Sequence, residues 1–75
     1  KLSPNPNDGT FNILLGDKLK GEVTVKIFDL SGKVIYQDKF TDSSFNLSLP
    51  KLSSGMYIVQ LSSASDQETI KFIKN

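Results

Sequence analysis

Turn-forming residues recur along this chain at nearly even intervals, and that rhythm limits what it can fold into. The stretches Ser3–Gly9, Gly16–Gly21, Ser31–Gly32, Thr41–Ser44, Pro50–Gly55 and Ser62–Asp66 are rich in Gly, Pro, Asn, Asp and Ser. These residues take turn dihedrals or bond their own backbone. Between them lie the β-prone runs Thr10–Leu15, Glu22–Asp29, Lys33–Phe40, Ser44–Leu49, Met56–Ser62 and Glu68–Lys74. Short strands repeating about every 8–12 residues predict an all-β sandwich or barrel. Lys1–Ser3 is a candidate seventh strand. Helix has no place, because apolar residues do not recur at three and four with caps. The best segment, Asp17–Lys20, is too short.

Successive side chains on a strand point to opposite faces, so alternation predicts which residues enter the core. Phe11 and Ile13 are expected inside, followed by Val23, Val25 and Ile27, then Val34, Tyr36 and Phe40. Phe45, Leu47 and Leu49 continue the pattern, as do Tyr57, Val59 and Leu61, and then Ile70 and Phe72. Met56 and Ile58 make the other face of their run apolar too, which predicts a central strand. Thr69, Lys71 and Ile73 are expected to face outward.

Composition narrows the chemistry. Seventy-five residues make one domain, and with 37% apolar and 23% charged residues it is neither a disordered segment nor a membrane span. The chain has no cysteine and no histidine. Disulfides, zinc-finger spacings and thiol nucleophiles are therefore absent, along with the usual general base near neutral pH. All nine basic residues are lysines, so no planar fork exists for bidentate phosphate or guanine recognition. A net charge of +1 offers no footprint for nucleic acid or an anionic membrane. No cofactor and no metal site is expected. The chain opens at Lys1 without a methionine and is expected to be a piece of a longer polypeptide.

Four short motifs stand out. In Ser3-Pro4-Asn5-Pro6-Asn7-Asp8-Gly9 the two prolines fix φ twice and bias their predecessors toward extended geometry, giving a stiff lead-in that ends in a turn. Its oxygen-rich side chains lack the alternating acids and twelfth-position glutamate of a calcium loop. Asp29-Leu30-Ser31-Gly32 fits a type I turn closed by a left-handed glycine, with the aspartate accepting backbone N–H bonds. Ser54-Gly55-Met56-Tyr57 opens a strand, with Gly55 permitting sharp entry and the Tyr57 hydroxyl tied to a neighbouring connection. Lys71-Phe72-Ile73-Lys74-Asn75 keeps strand patterning to the last residue, where chains ordinarily fray. The glycosylation-like triplet Asn46-Leu47-Ser48 falls inside an expected strand and is read as chance.

Taken in order, these motifs resemble the C-terminal sorting domain of type IX secretion cargo, the type A family of Bacteroidetes-type Gram-negative bacteria. The likeness covers all 75 residues. It places Pro4, Asn5, Pro6 and Gly9 on the family's first motif, Asp29 and Gly32 on its second, Gly55 and Tyr57 on its third, and Lys71 and Lys74 on its terminal strand. Ser3 departs from the aromatic that many members carry there. The resemblance implies a seven-stranded Ig-like antiparallel β-sandwich at the end of a larger secreted protein, joined in cis to an N-terminal cargo domain. It also implies a non-catalytic address, read by the outer-membrane translocon after Sec export to the periplasm. A sortase-like peptidase typically removes such a domain, and many cargoes are then attached to surface lipopolysaccharide. The expected location is secreted or cell-surface, with no nucleic-acid partner and no direct membrane insertion. The last strand, Glu68–Asn75, is expected to present Lys71 and Lys74 from its outer face to the translocon. The alternative is a non-catalytic Ig or fibronectin-like spacer, or a carbohydrate-binding accessory module. Two tyrosines and no tryptophan offer little for sugar stacking.

Overall fold

Every alternating run forms a strand whose ends lie within a residue of the expected ones. The computed structural model describes residues 1–75 as β1 (Leu2–Ser3), β2 (Thr10–Leu14), β3 (Val23–Phe28), β4 (Val34–Phe40), β5 (Ser44–Ser48), β6 (Gly55–Ser62) and β7 (Gln67–Lys74), with no helix. The strands form two antiparallel sheets, ordered β1-β2-β5 and β4-β3-β6-β7. Labelled A, B, C, C′, E, F and G in chain order, they give the A-B-E and C′-C-F-G layers of an Ig-like sandwich.

The core is the space between the two inner faces. Leu2, Phe11, Ile13, Phe45 and Leu47 enter it from the smaller sheet, and Val23, Val25, Ile27, Tyr57, Val59, Leu61 and Phe72 from the larger one. Burying each such side chain contributes about 1.5–3 kcal/mol. Phe72 lies 4.7 Å from Phe11 and 5.5 Å from Tyr57, ring centre to ring centre, so aromatic contacts tie β7 to the opposite sheet and to its neighbour β6. Phe40 stacks on Phe45 at 4.0 Å, joining β4 to β5. Leu19, in the turn where its N–H meets the Gly16 carbonyl, also belongs to the core, although it lies in no alternating run.

Strand β4 departs from the expected pattern. Val34, expected inside, is 42% exposed. The register between β3 and β4 shifts after Ile27, which pairs with Tyr36 while Phe28 pairs with Val34. A bulge of this kind sets two residues against one and redirects side chains. Ile35 consequently packs against the core beside Tyr36, and Val34 swings out opposite Phe28. Strand β6 is central, flanked by β3 and β7, yet its outer face is uncovered and Met56 is 40% exposed.

Candidate functional site

Strand β7 is an edge strand, and an edge leaves a row of unpaired main-chain groups. The lead-in segment closes the C-terminal part of that row. A proline has no N–H to give, so in Pro4-Asn5-Pro6-Asn7 the pairing falls to the asparagines. The Asn5 side chain accepts from the Ile73 N–H (2.9 Å) and donates to the Lys71 carbonyl (3.2 Å). The Asn7 main chain donates to the Ile73 carbonyl (2.9 Å) and accepts from the Asn75 N–H (2.7 Å), forming a parallel bridge opposite Lys74. Both Ser3–Pro4 and Asn5–Pro6 peptide bonds are cis.

Asn7 is the hub of this contact, a role beyond the turn that its place in the Ser3–Gly9 stretch predicts. It is 3% exposed. Its Oδ1 accepts from the Gly9 N–H (2.9 Å), and its Nδ2 donates to the Pro4 carbonyl (3.0 Å). A buried amide is tolerable only when its polar atoms are bonded, and these are. The available signal was an asparagine two residues before a glycine, the mark of a side chain that closes its own turn. Gly9 then adopts φ +101°, and its carbonyl accepts from the Leu49 N–H at 2.7 Å. A Cβ at Gly9 would lie 2.5 Å from the Leu49 carbonyl oxygen, so the backbones meet too closely for any side chain.

Gly55 and Tyr57 stand beside the same strand, since Gly55 pairs with Lys74 and Tyr57 with Phe72. The Tyr57 ring is buried in the core while its hydroxyl donates to the Ser53 carbonyl at 2.6 Å, tying the β5–β6 connection to β6 as expected. Lys71 and Lys74 do not share a face. Three residues separate them, an odd step, so Lys74 points to the same side as Phe72 while Lys71 points away. Lys71 is exposed and Lys74 half-buried. The Lys74 stem lies beside Gly9, and its Nζ donates to the Asn75 carbonyl at 3.3 Å.

The Asp29–Gly32 turn lies at the same end of the larger sheet but two strands away from β7. Asp29 Oδ1 accepts from the Ser31 N–H (2.9 Å), the Ser31 hydroxyl (2.6 Å) and the Lys33 N–H (3.1 Å). The Gly32 N–H donates to the Asp29 carbonyl, and Gly32 takes φ +88°, as the turn motif predicts. The Ser31 hydroxyl first, then the Lys33 N–H, hold the Asp29 carboxyl below its ordinary range. That carboxylate is occupied by its own turn. Nowhere do three metal-ligating side chains cluster.

The structure thus brings Pro4, Asn5, Pro6, Gly9, Gly55, Tyr57, Lys71 and Lys74 around β7, and leaves Asp29 and Gly32 as a separate hairpin end. Asn5 and Asn7 hold the end of the last strand, whereas Asp29 and Gly32 shape the β3–β4 turn. The chain belongs to the secretion system C-terminal sorting domain family, whose profile matches residues 1–75, and it is a sorting signal for type IX secretion. Comparison with curated proteins returned no match. The family assignment disfavours the spacer and carbohydrate-binding alternatives.

Proposed function

We propose that this domain is the C-terminal address of a larger secreted protein and acts by binding alone. The translocon at the outer membrane reads it after Sec export to the periplasm. A sortase-like peptidase then separates it from the cargo, which reaches the cell surface or medium. The observation that carries this reading is the fastening of the terminal strand, in which Asn5 and Asn7 pair four main-chain groups between Lys71 and Asn75. A strand held to its last residue keeps one shape for a receptor to grip, and the ordering cost is met before binding. Pro4, Asn5, Pro6, Gly9, Gly55 and Tyr57 build that presentation. Lys71 is the exposed charge on it.

The test is a fusion of residues 1–75 to a periplasmic reporter in a host that carries the secretion system. Surface delivery is expected for the intact domain, and loss of delivery after removal of Ile70–Asn75. Retention of the intact fusion in the periplasm overturns the address reading. Because the truncation removes Phe72 from the core, Asn5→Ala serves as a milder variant that loosens only the fastening. Full delivery by both variants removes the terminal strand from the mechanism.

A further inference from the structure

Strand register divides the side chains of β3, β4, β6 and β7 between the core and an outer face with an uneven character. Phe28 stands opposite both Val34 and Ile58, and Met56 stands opposite Ile73. These five apolar side chains form one band across all four strands at the hairpin end. Val34, Met56 and Ile73 are each at least 40% exposed. An antiparallel sheet with one face in the core ordinarily turns polar residues outward, and this band breaks the pattern with nothing in the chain covering it.

The rest of the outer face is polar, and the charges its strands carry are all lysines. Lys71 lies opposite Ile58, Lys26 opposite Gln60 and Gln37, and Lys39 opposite Thr24. No carboxylate of these four strands shares that side, because Asp38 pairs with Val25 and Glu68 with Leu61, both core positions. Glu22, just before β3, is 3.9 Å from Lys39. Asp29, just after β3, is held in its turn. Lys26 and Lys71 are left without a counter-charge, although the chain as a whole carries only +1.

We propose that this outer face is a docking surface for an acidic protein patch, with carboxylates over Lys26 and Lys71 and an apolar contact on the band from Val34 to Ile73. The proposal rests on the sorting reading and deepens it, since the occupant is then a component of the translocon. Charge and shape select this occupant. Two free lysines fall short of the cluster of about 4–8 that marks attraction to anionic lipid. Phe28 and Ile58 are half-buried among their neighbours, so a flat protein surface covers the band better than a bilayer that must be entered. A second copy would set lysine against lysine.

The experiment measures binding of the 75-residue chain to immobilised, detergent-solubilised type IX translocon at low and moderate salt. The wild type is expected to bind with an affinity that falls as salt rises. The pair Lys26→Glu and Lys71→Glu is expected to weaken binding at least tenfold. The pair Lys18→Glu and Lys51→Glu makes the same change in net charge outside the four strands and is expected to leave binding intact. Met56→Gln with Ile73→Thr tests the band and is expected to weaken binding severalfold with little change in salt dependence. Circular dichroism melts confirm that each variant is folded. Wild-type affinity in both face variants overturns the surface assignment and leaves the sorting function standing. Failure of the wild type to bind at all overturns the proposed reading of this domain by the translocon. Binding to phosphatidylglycerol vesicles in place of the translocon, or dimers abolished by the face variants, overturns the acidic protein occupant.

Discussion

Gly9 and Gly32 both adopt positive φ, 101° and 88° respectively, but only Gly9 is pressed against another stretch of backbone. A methyl group at Gly32 would meet nothing within 4 Å, whereas at Gly9 it would lie 2.5 Å from the Leu49 oxygen and 3.0 Å from the Leu49 carbonyl carbon. Gly32→Ala therefore costs the left-handed conformation alone, about 1–2 kcal/mol. Gly9→Ala adds overpacking of about 1–3 kcal/mol. Leu49 cannot rotate clear, because the obstacle is its main chain and its N–H is bonded to the Gly9 carbonyl at 2.7 Å. The sum at Gly9, about 3 kcal/mol, is a large share of the roughly 4–11 kcal/mol expected for a domain of this size. At about 4–8 °C per kcal/mol, Gly32→Ala lowers Tm by roughly 4–16 °C and Gly9→Ala by roughly 12–24 °C. Thermal and guanidinium melts of the two variants, followed by far-UV circular dichroism, make the comparison. If Gly9→Ala proves no more harmful than Gly32→Ala, the close approach of the Gly9 and Leu49 backbones is not a feature of the folded protein.

Three further outcomes are expected. Asn5→Ala removes both side-chain bonds to β7 at an exposed site, so the Ile73 amide should exchange with solvent at least tenfold faster while Tm falls by only a few degrees. Unaltered exchange at Ile73 would show that the edge is held by other contacts. Tyr57→Phe keeps the ring against Phe72 but deletes the bond to the Ser53 carbonyl. It should cost about 1 kcal/mol, read as a lower urea midpoint at unchanged slope, and an unmoved midpoint refutes the tie between β6 and the preceding connection. Asp29 carries a folded-state pKa below its ordinary value, so its contribution is present above the unfolded pKa and is lost as pH falls through the folded one. Acid titration of stability should therefore be shallower in Asp29→Asn than in the wild type, and parallel curves would refute the turn's role.

Much of the sandwich is legible in residue order. Val23, Val25 and Ile27, or Phe45 and Leu47, declare their face by simple alternation, and all five are buried. The Asp29–Gly32 turn and the Tyr57 hydroxyl bond follow from residue types at fixed offsets. The side taken by Lys74 was equally readable, because an odd step from Lys71 puts it with Phe72. Other features had no local mark. Val34 and Ile35 exchange roles through a bulge that exists only where β3 and β4 meet. Met56 and Ile58 signalled a central strand, and β6 is central, but the pattern did not say that its second face would be left bare.

Residue order alone determined an all-β chain, the positions of its turns and the inward set of most strands. Dihedral preference and side-chain direction act within a few neighbouring residues, so they are written along the chain. Which strands become edges, how Asn5 and Asn7 come to fasten β7 some seventy residues later, and where a band of apolar side chains meets unpaired lysines were decided by the tertiary structure. Those features depend on strand order and register, which bring together groups that share no local sequence signal.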